Sequence, residues 1–255
     1  SFIINNIHKI IINTDSIKKK NKKIKKKLNI IMEDEHLIVL NKSPGILTHD
    51  ADENENISIV SMLKEENINL SKSKVPYKDG VVHRLDKDTS GLVIFAKNNF
   101  SQQNLSRQFS NREVTKIYDA ICYNVPIPIA GTISRPIVDY IDRKKVSLLK
   151  MGKKAITEYK VKKMSKNLFS LIECKILTGR THQIRVHMQS LNCPLIGDQL
   201  YSRGRNLPSN LSIEISKIIK SFKRQALHSK KISFKHPVSK KTINLASEKP
   251  RDMIV

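Results

Sequence analysis

Two short segments concentrate side chains able to do chemistry. The first, Val81-Val-His-Arg-Leu-Asp-Lys-Asp-Thr-Ser-Gly-Leu-Val-Ile-Phe-Ala-Lys97, sets one carboxylate, Asp86, among His83, Arg84 and Lys87. Cations that close favour the ionised carboxylate, which can then act as a nucleophile or an electrostatic stabiliser. Thr89 and Ser90, ahead of Gly91, can close a turn with their hydroxyls. The competing interpretation is an exposed Asp86–Arg84 pair of little consequence. The second segment, Thr178-Gly-Arg-Thr-His-Gln-Ile-Arg-Val-His187, groups two arginines and two histidines around a helix start. Gly179 allows a tight turn, and the first helical amides would face an anion. A cation in a first helical turn opposes the macrodipole, so Arg185 asks for a carboxylate or phosphate partner. A third run, Lys116-Ile-Tyr-Asp-Ala120, offers in Tyr118 a ring for stacking and a hydroxyl for proton transfer. A strand tyrosine is also, and more commonly, half-buried packing.

Other chemistries fit these spacings poorly. His182 and His187 are five apart, not the i, i+4 pair a helical zinc site needs, so no metal site is expected. No Gly-x-Ser-x-Gly elbow supports a serine hydrolase. There is no Walker-type loop and no dinucleotide fingerprint, so no nucleotide cofactor is expected.

The elements that must position these residues follow from pattern. Apolar runs at 36–41 and 91–97 read as buried strands, the first ended by Ser43-Pro44-Gly45. Residues 115–123, 157–163 and 169–176 read as further strands. Helical spacing appears near 57–63, over 98–111 and at Ile184, His187, Met188 and Leu191, stopped by Cys193-Pro194; 212–223 is another helix candidate. Residues 71–80 read as loop, and Val125-Pro-Ile-Pro128 with Gly131 as punctuation. Ile232 and Phe234, then Ile243 and Leu245, alternate about a turn at 236–239, a hairpin. Strands with interspersed helices and no βαβ rhythm predict an α+β fold on a mostly antiparallel sheet.

With 47 Lys+Arg against 23 Asp+Glu, the net charge is +24, which points to a polyanion, above all a nucleic acid. Lys, Ile and Asn together make 91 of 255 residues, a composition that A/T-rich codons alone would favour. The arginines are therefore more telling than the lysines. Residues 18–27 hold eight lysines, a solvated linker or an RNA-contacting arm. Three widely spaced cysteines exclude a disulfide scaffold and fit a reducing compartment, hence a cytoplasmic location. No stretch approaches the ~20 apolar residues of a membrane span, and no secretory signal pattern opens the chain.

The two motifs together resemble the RluA family of RNA pseudouridine synthases. His83-Arg-Leu-Asp-Lys-Asp-Thr-Ser-Gly-Leu92 and Gly179-Arg-Thr-His-Gln-Ile-Arg-Val-His187 carry the likeness. Glu33-Asp-Glu-His-Leu-Ile-Val-Leu-Asn-Lys42, Lys116-Ile-Tyr-Asp-Ala120 and Pro194-Leu-Ile-Gly-Asp-Gln-Leu-Tyr201 support it. The resemblance implies a central, mostly antiparallel sheet flanked by helices with a cleft across it, and a cofactor-free isomerase. Asp86 would be the catalytic aspartate, Tyr118 the residue stacked on the target uracil, and Arg185 the partner of Asp86. Arg84 would fill the space left by the flipped base; His83, Thr89, Arg180, His182 and Gln183 would complete the RNA-binding set. Whether Asp86 attacks the sugar or assists a glycal route stays open. Asp142-Arg-Lys-Lys145, Gly152-Lys-Lys-Ala-Ile-Thr-Glu-Tyr159 and Gln225-Ala-Leu-His228 resemble the RluD-like branch, which modifies 23S rRNA of the large subunit. tRNA is the alternative substrate, and a ribosome-assembly factor with dispensable activity the alternative function. Many relatives carry an N-terminal S4 RNA-binding module. Residues 1–27 would then be the tail of a truncated module plus linker, and 28–255 a monomeric catalytic domain. One departure is Asn41-Lys-Ser-Pro-Gly45, where the family has its proline one position earlier.

Overall fold

The structure, a computed structural model, describes residues 27–50, 57–140, 143–146, 151–165, 167–205, 207 and 211–253. Residues 1–26, with the S4-like tail and all of the lysine run but Lys27, lie outside them, as does Asp142.

Apolar runs of β-branched and aromatic residues build the centre of the sheet, because strands covered on both faces need no polar side. β1 (Ile30–Glu33), β2 (Leu37–Lys42) and β3 (Ser90–Ala96) form an antiparallel set, and every residue of β3 is buried. β4 (Thr115–Tyr123), β5 (Ala130–Ser134), β8 (Ile156–Ser165) and β9 (Phe169–Ile176) follow, with β10 (Leu227–Lys235) and β11 (Thr242–Ala246) forming the expected hairpin. β6 (Ile137–Tyr140) and β7 (Arg143–Val146) make a separate two-stranded hairpin. The main sheet runs β1-β2-β3-β10-β4-β9-β8-β5, with β11 on β10. All pairings are antiparallel except the short register His228↔Ser90 and Ser229↔Gly91. There β3 passes so close to β10 that a Cβ on Gly91 would meet the Ser229 carbonyl oxygen at 2.3 Å, at a φ of +111°. Only glycine meets both demands.

Helices cover the two faces. α1 (Ile59–Glu65) begins with a capping box in which Ser58 and Ser61 exchange hydrogen bonds with each other's backbone. α2 (Asn99–Ser110) is capped by Asn98, as its position before the helical pattern suggests, and packs on β3. α3 (Gln183–Ser190) is buried along most of its length, and α4 (Ile213–Ser221) lies exposed. One apolar core lies between the sheet, α1 and α3, including Leu40, Phe95, Tyr118, Ile172 and Met188. A second lies under α2 and the terminal hairpin, with Leu92, Ile94, Leu105 and Phe234.

The predicted α+β architecture on a mostly antiparallel sheet is what is observed. Three strand regions escape sequence pattern. β5 follows Pro126 and Pro128 and alternates little, and β6 and β7 are only four residues each, too short to show a clear period. β1 is a mostly exposed edge strand. Residues 76–78 form a single 3₁₀ turn inside the predicted loop.

Candidate active site

A cleft of about 420 Å³ lies over the middle of the sheet, floored by Tyr118, Ile176 and Leu227. That is within the ~300–1,000 Å³ of ligand-sized clefts. The 83–89 loop forms one wall, entering β3, and the 177–182 loop forms another, leaving β9 for α3.

The backbone of the first loop is fixed before any side chain reaches the cleft. Thr48 Oγ1 donates to the Leu85 carbonyl at 2.9 Å and accepts from the Leu85 N–H at 3.1 Å. Gly45 N donates to the Lys87 carbonyl at 3.0 Å, and Lys42 Nζ reaches the same oxygen at 2.8 Å. Lys42 is fully buried, and its ammonium also donates to the carbonyls of Ser43 and Ile46. Within the loop, Thr89 N closes a turn onto the Asp86 carbonyl at 3.1 Å. Asp86 is thus a side chain on an immobilised turn, the usual arrangement for a reacting group.

Its carboxylate meets α3. Arg185 Nη1 donates to Asp86 Oδ2 at 3.0 Å, which supplies the partner that a cation in the first turn required. The same guanidinium is clamped from the other side by Asp198, Nε to Oδ2 at 2.6 Å and Nη2 to Oδ1 at 2.9 Å. Burial works against the charge on Arg185. Hydrogen bonds and attraction from Asp198, then from Asp86, outweigh it and raise its pKa. Asp198 Oδ1 also accepts from the backbone N–H groups of Leu200 and Tyr201. The Tyr201 ring lies 5.0 Å from the Arg185 guanidinium carbon, within cation–π range.

His182 caps α3 with φ +57°, a left-handed conformation that turns its ring toward the cleft. Its Nε2 stands 3.8 Å from Asp86 Oδ2, and its Nδ1 is 3.0 Å from the Tyr201 hydroxyl. That hydroxyl already accepts from Lys144 N–H at 3.0 Å, so its own proton is free for His182 Nδ1. The tautomer satisfying the network carries its proton on Nε2, facing Asp86. Burial lowers the His182 pKa, against the pull of Asp86.

Tyr118 rises from β4 to the cleft floor, where 5% of it is exposed. Burial, then the Asp86 charge, raises its pKa and keeps the hydroxyl protonated. Arg84 and Arg180 are exposed on opposite walls, with Arg84 near His49 Nε2 at 3.4 Å and Arg180 Nε on the Lys154 carbonyl at 3.1 Å.

Three residues expected to contact RNA line the cleft and also brace its framework. His83 stacks on Phe109 at 4.5 Å between centroids, and its Nε2 accepts the Ile94 N–H at 2.9 Å. Burial, helped by Lys116, drops its pKa to about 3, so it stays neutral. Gln183 spends both ends of its amide: Oε1 accepts from Thr178 and the Arg180 N–H, and Nε2 donates to Ile156 and Thr157. Thr89 is buried, with its hydroxyl oxygen taking a hydrogen bond from Gln225 at 3.2 Å. Polar residues beside a reacting group need fixed backbones under them, and these three supply that. Sequence reasoning missed Asp198, Tyr201, Thr48 and Lys42; the only signal for the first two was their place in the Pro194–Tyr201 run. Among the described residues, no group of three or more His, Cys, Asp and Glu is placed to hold a metal ion.

Comparison with known proteins bears on this geometry. Residues 36–190 match the sequence model of the RNA pseudouridylate synthase family. Ribosomal large subunit pseudouridine synthase D of Zymomonas mobilis is 37% identical over 230 residues, which cover 89% of this chain and 70% of that protein. The protein of the same name from Vibrio cholerae is 35% identical over 228 residues, 89% of this chain and 69% of that one. The solved structure of human RNA Pseudouridylate Synthase Domain Containing 4 aligns with a TM-score of 0.68 at 27% identity, covering 89% of this chain and 90% of that one. With the motif-bearing loops, the sheet and the relatives in agreement, the chain belongs to the RNA pseudouridylate synthase family.

Proposed function

We propose that this protein converts specific uridines of large-subunit ribosomal RNA to pseudouridine, with Asp86 as its catalytic group. The observation that carries the reading is a carboxylate on a fixed turn, held at 3.0 Å by a buried arginine and lining one cleft with Tyr118. The relatives named for large-subunit modification support the choice of RNA. In the reaction the C1′–N1 glycosidic bond breaks, the uracil turns, C1′ bonds to C5, and the C5 proton leaves as N1 gains one. Asp86 stabilises or captures the sugar carbon, and Arg185 keeps it ionised and aimed. The target base must leave its stack, at a cost of about a few kcal/mol that contacts with Tyr118 and Arg84 offset.

Residues 28–255 form the catalytic unit of this proposal, working as a monomer without a cofactor. The free thiols of Cys122, Cys174 and Cys193 support a cytoplasmic setting, and no described helix is long and apolar enough to cross a membrane. The test uses large-subunit rRNA carrying tritium at uracil C5. The protein is expected to release tritium to water, and Asp86→Asn to release none above the blank. Equal release by the two would overturn the reading. Mapping pseudouridine in rRNA and tRNA of a deletion strain assigns the substrate: loss from tRNA alone would move the reaction there.

A further inference from the structure

Resting on the proposed reaction, one cleft residue is left without a use. Lys116 lies two residues before Tyr118 on β4 and therefore on the same face of the sheet. It lines the cleft and is 9% exposed. Among the described residues, no carboxylate lies within ion-pair distance of its ammonium and no acceptor takes a hydrogen bond from it. The other well-buried or carboxylate-bound lysines differ. Lys42 donates to three carbonyls, and Lys230 and Lys249 share Asp119. The Lys116 ammonium lies over the Phe109 ring, 5.4 Å to the centroid, a contact that recovers only part of its lost hydration. Burial accordingly lowers its pKa to about 8, which still leaves most of the population charged at neutral pH.

The ammonium also has an open approach. A side chain at Gly179 would place its Cβ 3.9 Å from Lys116 Nζ, so the bare glycine leaves that wall of the cleft clear. Exposed Arg84, Arg112 and Arg180 line the same cleft and form a basic border that leads a polyanion to it.

We propose that Lys116 receives a phosphodiester oxygen of the RNA strand beside the flipped uridine and so sets the depth at which the nucleotide enters. A full, partly dehydrated positive charge calls for a full anion, and the uracil ring is neutral. Among the parts of an RNA strand, the phosphodiester is the fitting partner.

The test measures binding of an RNA substrate, already verified by tritium release, with single methylphosphonates replacing each phosphate around the target uridine. One replacement is expected to weaken wild-type binding roughly 10- to 100-fold, as loss of a charged hydrogen bond does. Lys116→Met should bind the unmodified RNA that much more weakly and show no further loss at that position. Its salt dependence should be shallower by about one phosphate contact. Lys116→Gln gives a second removal of the charge should Met disturb the core. Additive losses at every position would overturn the inference, as would a wild-type scan in which no phosphate stands out. Failure of wild-type tritium release would instead overturn the proposed reaction, so the two failures are distinguishable.

Discussion

Arg185 holds two carboxylates, and they differ in everything but their partner. Asp198 is 1% exposed, takes two hydrogen bonds from the guanidinium and two more from backbone N–H groups. Asp86 takes one hydrogen bond from Arg185, and its side chain is 22% exposed toward the cleft. The saturated carboxylate anchors the arginine; the unsaturated one keeps an oxygen available for substrate. One guanidinium thereby ties a reacting group to the framework through a single hydrogen bond to one of its oxygens.

Four substitutions sharpen or break that contrast. Asp198→Asn has the largest expected effect on stability, about 3–5 kcal/mol, because it strands a buried arginine. Urea unfolding measures it, and Asp86→Asn should shift the same curve by no more than about 1 kcal/mol, as suits a partly exposed pair. Equal losses would mean that the two carboxylates are not divided into anchor and reactant. Thr48→Val comes next. It removes both partners of the buried Leu85 amide and carbonyl and should cost about 1–3 kcal/mol. Its kcat should fall while the RNA dissociation constant holds, since the turn under Asp86 loosens but the cleft walls do not. Loss of binding at constant kcat would show that the turn does not aim Asp86. The last effect is on pH dependence and is read only in acid. The His83 pKa falls from 6.5 to about 3 on folding, so the unfolded chain binds the extra proton between those values. Stability therefore declines as pH drops below 6.5 and the decline is complete near 3. His83→Gln should flatten that acid limb in unfolding curves taken from pH 7 downward; an unchanged slope would place the acid sensitivity elsewhere.

Sequence reading went furthest where a segment's chemistry and its periodicity coincide. The 91–97 run, the 98–111 helix and the terminal hairpin follow from local pattern alone, because burial on one or both faces writes a period into the chain. β5, with one buried residue, leaves little such trace, and β6 and β7 are too short to show one. Asp86 stood out by its neighbours, and Arg185 by conflict with its own helix dipole. Asp198 could not be found that way: its partner is 13 residues off and its turn looks like any Gly-Asp loop. The direction of a side chain is equally silent in sequence. His83 and Gln183 carry the residue types of a binding surface, yet His83 Nε2 and both ends of the Gln183 amide bond the framework. Lys116 stood in a strand quoted for its tyrosine, and only the absence of a partner among the described residues marks it out.

The place of β10 has a consequence for the order in which the molecule becomes functional. This strand, formed by residues 227–235, lies between β3 and β4, which are complete more than a hundred residues earlier. The two strands that carry the catalytic loop and the stacking ring cannot be held at their final spacing until the late strand slots between them. Such long-range pairing is slow to form. A nascent chain therefore exposes Asp86 and Tyr118 before they can work together, and the synthesis of β10 acts as the step that arms the enzyme.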